Sequence, residues 1–286
     1  MVIWTIAKTT VGEAMRKKVL NVCLIVAVAM IVLALSFTQL GFQRDMTIIK
    51  SLGLFVILLA GFIISLLLSV SLIPNEVDRR TIYTILSKPV TRYEFVVGKF
   101  LGGLITLFIN IALMGVVFII MITVKAHFST ATIGIPASQA GAGAAEAVSG
   151  SIAPQAFDPS LILGVIMIYF QFVLLSAVVM FFSVFLAPTV NFFASAAVYV
   201  VGSAASVWQT MASGSSQAAL WVKALYRVIH TVVPNFEYFN IQNILIHPQQ
   251  EVRSMGLYVT ESIIYAVLFT VVLMTIAVLL FEKKEV

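Results

Sequence analysis

The sequence predicts an all-α integral membrane protein with six transmembrane helices and both termini in the cytoplasm. Of its 286 residues, 61% are hydrophobic and only 10% are charged, and the mean hydropathy is +1.08. Soluble domains contain roughly 45–50% apolar and 25% charged residues, so lipid must solvate much of this chain. The other two observations are six apolar runs, each near the roughly 20 residues that cross a bilayer, and an uneven distribution of basic residues between them.

The six apolar runs define the predicted spans of a single transmembrane domain, residues 1–286. They cover residues 19–40, 51–73, 100–124, 161–187, 192–211 and 257–281. The first five contain no Asp, Glu, Lys, Arg or His, and the sixth contains only Glu261. The fifth is the least hydrophobic, but its many Ala, Gly and Ser residues suit close helix packing.

Basic residues predict the orientation. With a cytoplasmic N-terminus, most of the 17 lysines and arginines fall in the inner segments, which together are shorter than the outer ones. The positive-inside rule therefore places both termini in the cytoplasm. The net charge of +5 then needs no nucleic-acid partner. A cleaved signal peptide over the first span is the less favoured alternative, because its basic and apolar regions are both longer than usual.

Three of the four longer segments outside the spans differ in composition, and the fourth, residues 74–99, is the most highly charged. Residues 1–18 form an amphipathic stretch with apolar residues on one face and charged residues, including Glu13, on the other. This pattern predicts a helix in the inner membrane interface. Residues 125–160 are rich in Ala, Gly and Ser, which predicts a flexible outer loop. Residues 212–256 contain an amphipathic segment followed by Phe236, Tyr238 and Phe239. This segment is expected at the outer headgroup level or between the spans.

The chain lacks the motifs of several chemistries. It contains no phosphate-binding GxxxxGK[ST] loop, no HExxH and no GxSxG, and its single cysteine, Cys23, forms no internal disulfide. The three histidines are far apart in outer loops, so no metal or other cofactor is expected. Ion-coupled carriers and intramembrane hydrolases need ionisable groups at membrane depth, whereas Glu261 can reach the outer interface. Energy for any transport must then come from another subunit.

The fourth segment, residues 74–99, is the most highly charged loop. Asn75 can cap a helix whose first turn contains Glu76 and Asp78, and Pro89 ends that helix. This cytoplasmic helix joins spans two and three, so a partner that pushes it could move both spans. A surface helix without a partner is the alternative interpretation.

The loop resembles the first cytoplasmic loop of ABC-2-type ABC transporter permeases. That pattern has an acidic residue after the second span, a Gly-Thr-hydrophobic step, a stretch ending in Pro-Val, and a Gly-Lys pair at the third span. The matching residues here are Glu76, Thr81-Ile82, Ile85-Leu86-Ser87-Lys88-Pro89-Val90 and Gly98-Lys99. Arg80 departs from the pattern, where the family often has Gly.

The resemblance implies a function and its residues. The loop would hold the coupling helix that docks on a separate nucleotide-binding ATPase subunit, and ATP would bind only to that subunit. The implied docking residues are Glu76, Asp78, Arg79, Arg80, Thr81, Ile82, Leu86 and Pro89. The chain would be the permease subunit of an exporter in a prokaryotic inner or plasma membrane, paired with a second copy or a related permease. A non-transporting membrane scaffold is the alternative from another class, and an integral-membrane enzyme ranks last.

Overall fold

The computed structural model describes residues 2–37, 46–70, 72, 91–132, 159–213, 233–240 and 255–283. Regular secondary structure in these residues is helical, which agrees with the predicted all-α class. One 3₁₀ turn spans Glu237–Phe239. The α-helices, numbered in chain order, are α1 (Val2–Met15), α2 (Lys18–Phe37), α3 (Met46–Val70), α4 (Arg92–Thr132), α5 (Pro159–Ser183), α6 (Pro188–Ser203), α7 (Ala205–Ser213) and α8 (Met255–Lys283).

Four of the described helices are long and apolar enough to cross a membrane. The qualifying stretches are Lys50–Val70 in α3, Tyr93–Val124 in α4, Leu161–Ser183 in α5 and Gly256–Phe281 in α8. The first predicted span corresponds to α2, which contributes the shorter apolar stretch Asn21–Leu33. Four of the six predicted spans are therefore matched by helices of crossing length.

Helix α5 lies at the centre of the bundle and contacts α3, α4, α6 and α8. Every residue from 171 to 180 is buried. A helix that is apolar on all sides must be surrounded by other helices or by lipid, and here other helices cover it. By contrast, only 28% of the crossing stretch of α8 is buried, against 67% in α5. Helix α8 therefore presents an apolar face outward, as a lipid-exposed helix does.

Buried hydrogen bonds hold α6 against α5. The Asn191 side-chain amide donates to the backbone carbonyl of Val179 (3.1 Å), and Ser195 donates to Asn191 Oδ1 (2.9 Å). One to two turns further along α6, Gln171 Nε2 donates to the hydroxyl of Tyr199 (3.0 Å). Such bonds supplement van der Waals packing between helices that share an apolar surrounding.

The fifth predicted span, residues 192–211, is not one continuous helix. Helix α6 ends at Ser203, Ala204 has φ −101° and ψ 25°, and α7 then begins at Ala205. In an unbroken helix the N–H of Ser206 would donate to the carbonyl of Gly202. Instead, that carbonyl accepts a hydrogen bond from the Phe236 N–H (3.2 Å), and the Ser206 N–H donates to Glu237 Oε2 (2.6 Å). Residues 236 and 237 thus supply both partners of the missing helical bond.

A glycine at position 202 makes this approach feasible. A Cβ added there would overlap the carbonyl oxygen of Pro234 and lie 2.7 Å from the Phe236 ring. The small residues predicted to favour close packing therefore do so here, but the close neighbour is an irregular segment and not another helix.

Of the aromatic residues after Pro234, two are buried in the protein and one is exposed at its surface. Phe236 and Phe239 are buried in the main core, and the Phe236 ring lies 5.1 Å from the Tyr199 ring, centre to centre. Tyr238 is 43% exposed. The described residues 233–240 lie against the helices, whereas the predicted amphipathic helix before Pro234 falls outside the described residues. The rest of 212–256 is described only over α7 and the start of α8.

Removing the Glu237 carboxylate should destabilise the α6–α7 break. A carboxylate at a helix N-terminus contributes about 1 kcal/mol, so the Glu237→Ala variant should lose about 2–4 °C of thermal midpoint in a chain of this size. The measurement is thermal unfolding of the purified full chain in detergent. Glu261→Ala, at an exposed position on α8, is the matched control and should leave the midpoint nearly unchanged. Equal shifts in the two variants would contradict the capping role.

Candidate functional site at the ends of loop 73–90

The predicted docking residues lie outside the described part of the chain. These are Glu76, Asp78, Arg79, Arg80, Thr81, Ile82, Leu86 and Pro89. These residues belong to the segment between α3 and α4 that we call loop 73–90. The described residues include its two flanking positions, Leu72 and Thr91. How those two ends are held determines what a movement of the loop could reach.

Helix α4 begins directly after the loop with a capping box. The backbone N–H and the hydroxyl of Thr91 both donate to Glu94 Oε2 (3.0 and 3.1 Å), and the Glu94 N–H donates to Thr91 Oγ1 (3.3 Å). This reciprocal pair satisfies N–H groups that would otherwise lack partners at a helix N-terminus. Helix α4 therefore begins at Arg92, eight residues before the predicted apolar span 100–124.

The same helix extends beyond the predicted span 100–124 at both ends. It continues for 41 residues to Thr132, so its first residues belong to the predicted loop 74–99 and its last to the predicted loop 125–160. At 1.5 Å per residue it is about 60 Å long, roughly twice the hydrocarbon thickness. Helix α5 begins at Pro159, and residues 133–158 lie outside the described part of the chain. One rigid element thus extends from the loop through the whole bundle.

Both ends of the loop enter one group of buried apolar side chains, which we call the loop-end cluster. Its members come from the end of α3 and from α4, α5 and α8. They are Leu72, Phe95, Val96, Phe100, Ala177, Met180, Val184, Met274, Ala277, Val278 and Phe281. Protein interiors are densely packed, so a displacement of the loop would be transmitted through this cluster to α3, α4, α5 and α8.

Helix α1 docks on the first turns of α4 through two glycines. A Cβ added at Gly98 would lie 2.9 Å from the Ile6 side chain, and one at Gly102 would lie 2.6 Å from Thr10 Cβ and 2.7 Å from the Ala7 carbonyl oxygen. The two glycines are four residues apart, so they share one face of α4. The missing side chains let the two helix backbones approach closely, as in small-xxx-small packing.

An ion pair joins the same two helices. Lys99 Nζ lies 3.5 Å from Glu13 Oε2, and the Lys99 side chain is only 8% exposed while that of Glu13 is 48% exposed. A buried ammonium group is costly without a partner, and the carboxylate offsets that cost. The sequence places Glu13 on the polar face of residues 1–18, and the structure shows that this face is partly used for packing against α4.

A small cleft lies between α1 and the loop ends. It is lined by Thr10, Glu13, Ala14, Lys17, Leu68, Leu72 and Lys99. Its two lysines and one carboxylate suit no metal ion, and within the described ranges no three metal-ligating side chains lie together.

Sequence reasoning missed the roles of Glu13, Gly102 and Lys99. In the sequence, Gly98-Lys99 is part of the family resemblance, and no interaction partner is predicted for Lys99. A signal was nevertheless present: Glu13 is the only acidic residue in a basic N-terminal segment, and Lys99 directly precedes an apolar run. Pairing them requires knowing that α1 folds back on α4, which no local pattern reveals.

Gly102→Ala should weaken the docking of α1, whereas Gly12→Ala should not. The first substitution inserts a methyl group between two packed helices, which costs about 1–3 kcal/mol. Gly12 lies within α1 with nothing within 4 Å of an added Cβ, so alanine there should stabilise the helix by up to about 1 kcal/mol. Thermal unfolding of the two full-length variants in detergent measures both changes. Shifts of the same sign would contradict the docking geometry.

Comparison with known proteins identifies the family of the chain. A family model described as ABC-2 family transporter protein matches residues 4–286, which is nearly the whole chain. No individual curated protein matches the chain significantly. The chain therefore belongs to the ABC-2 family of transporter membrane proteins, as an integral, multi-pass component.

Proposed function

We propose that this chain is the permease subunit of an ABC exporter whose ATP is bound and hydrolysed by separate nucleotide-binding subunits. Two copies of the chain, or one copy and a related permease, form the membrane part. The complex lies in the inner or plasma membrane of a prokaryotic cell, with both termini in the cytoplasm. Family membership supports the permease role.

The observation that carries the proposal is the convergence of both loop ends on the loop-end cluster. Leu72 and Phe95, on either side of loop 73–90, are buried in the same group of side chains as Met180 of α5 and Val278 of α8. A force on the loop would therefore move several helix ends together. A loop that merely connected two spans would not require this common packing.

The mechanism follows from this linkage. The ATPase subunits contact the coupling region, residues 76–89, and their ATP-driven closure shifts the permease between inward- and outward-open states. A partner can shift such an equilibrium only by binding one state more tightly than the other. The charged residues Glu76, Arg79 and Arg80 are the groups that can provide this preference. Helix α4, continuous from Arg92 to Thr132, carries the movement across the membrane.

The composition of the spans supports an external energy source. Ion-coupled transport needs ionisable groups at membrane depth, and the first five predicted spans contain none. Lys99, near the start of α4, is paired with Glu13. The largely apolar surface of the spans favours a hydrophobic or amphipathic cargo.

Replacing the charges of the loop should uncouple ATP hydrolysis from transport. Because coupling free energies are typically 1–3 kcal/mol, Glu76→Ala and the double variant Arg79→Ala/Arg80→Ala should each reduce transport per ATP by about tenfold. The measurement uses proteoliposomes that contain the chain and its ATPase subunit, with an amphipathic fluorescent dye as the transported probe.

The control for this experiment removes two basic residues elsewhere on the same predicted side. Lys283→Ala/Lys284→Ala should retain transport and membrane insertion. Unchanged transport in the loop variants would contradict the coupling role. Binding of the ATPase without stimulation of its activity would instead favour the membrane scaffold, and transport by the chain without the ATPase would refute the proposal.

A further inference from the structure

Helix α1 has a second apolar face beside the one that docks on α4. Ala7, Thr10 and Ala14 are buried on the docking face. Trp4, Val11 and Met15 recur at the spacing of one helix face, and they lie on a different side of the helix from the docking face. Trp4 is 67% exposed and Met15 is 43% exposed. One apolar face is therefore used for packing, and the other is available to a partner.

The charges around this second face are strongly positive. Lys8 lies one turn from both Trp4 and Val11, so it shares their side of the helix. Lys8, Arg16 and Lys18 are all exposed. Glu13 is the only acidic residue between positions 2 and 18, and its carboxylate is paired with Lys99. The partner of this surface must therefore offer apolar groups and negative charge together.

The position of α1 favours the membrane as that partner. Helix α2 begins at Lys18, three residues after α1 ends, and its side chains Val22, Ile25 and Val26 are exposed. The second face of α1 is thus close to a helix whose outward side chains lipid must solvate. Trp side chains suit the headgroup level, and lysines can bury their methylene groups while keeping the ammonium group among the headgroups.

We propose that the N-terminal segment 2–18 binds acidic phospholipids of the leaflet in which it lies, through Trp4, Val11 and Met15 of α1 in the acyl region. At the headgroups it binds through Lys8 of α1, Arg16 in the turn that follows, and Lys18 at the start of α2. Basic residues near an anionic membrane surface are attracted to it, and the attraction weakens with salt. Acidic lipid then stabilises α1 on a face adjacent to the one that docks on α4. The proposal requires only that the chain is a membrane protein and does not depend on which subunit supplies ATP.

Lipid selectivity at Trp4 tests this directly. The background variant Trp208→Phe/Trp221→Phe leaves Trp4 as the only tryptophan of the three in the full chain. The chain is reconstituted in bilayers that contain brominated phosphatidylcholine or brominated phosphatidylglycerol, both of which quench tryptophan fluorescence. The two quenching curves give the relative binding constant of the two lipids beside Trp4. We expect phosphatidylglycerol to be preferred about fivefold or more at low salt.

Two matched double variants locate the source of the preference. Lys8→Gln/Arg16→Gln should bring the relative constant close to one. Lys125→Gln/Arg253→Gln removes two charges elsewhere and should leave it unchanged. Should the first variant fail to fold, a salt titration of the background chain gives the same information, because the preference should decline as salt rises.

Three results would overturn the proposal. The first is equal quenching by the two lipids in the background chain. The second is a preference that neither the Lys8→Gln/Arg16→Gln change nor salt reduces. The third is a Trp4 that neither lipid quenches, which would mean that protein covers this face. The failure of this experiment would leave the coupling proposal intact, because that proposal is tested by transport per ATP.

Discussion

The common packing of four helix ends in the loop-end cluster is the constraint on which the rest of the described structure depends. Leu72 lies just after α3, and Phe95 and Phe100 lie in the first three turns of α4. Residues near the ends of α5 and α8 pack against them. Close-packed interiors rearrange between discrete states and do not deform continuously. In the proposed function, a loop anchored on such a cluster would act on the bundle as a unit.

Helix α1 extends this constraint beyond the bundle. The absence of side chains at Gly98 and Gly102 lets its backbone approach α4, and the Glu13–Lys99 pair fixes one end of the contact. The docking site lies within three turns of the point where loop 73–90 ends. Movement of the loop and movement of α1 are thus expected to be linked, and the lipid that surrounds α1 would influence both.

Near residues 235–239, helices are held together by hydrogen bonds and not by an apolar cluster alone. Residues 235–239 connect α7 to α8: Glu237 accepts from the Ser206 N–H, the Asn235 N–H donates to the Tyr265 hydroxyl, and Tyr258 donates to the carbonyl of Tyr238. These contacts divide the fifth predicted span into α6 and α7. Helix α4, by contrast, is continuous from Arg92 to Thr132.

The sequence predicts those features that depend on local composition. Apolar runs locate α3, α4, α5 and α8, because crossing lipid imposes a length and a hydrophobicity on each helix. The Thr91–Glu94 spacing also contains the capping box that starts α4, eight residues before the predicted apolar span.

Features that depend on contacts distant in sequence could not be predicted. The break at Ala204 needs Glu237, which lies 31 residues from Ser206, and the burial of Lys99 needs Glu13, 86 residues away. Phe236 and Phe239 look like interfacial anchors in the sequence, yet they are buried because α5 and α6 provide an apolar site for them.

The most direct test of the account is the side of the membrane on which loop 73–90 lies. Replacing the only cysteine by Cys23→Ser gives a chain in which Arg80→Cys introduces a single thiol. A membrane-impermeant maleimide is applied to right-side-out and inside-out vesicles. The account predicts labelling only in inside-out vesicles, and protection when the ATPase subunit is bound. Labelling in right-side-out vesicles would contradict it, since a loop on the outer surface cannot be driven by a cytoplasmic ATPase.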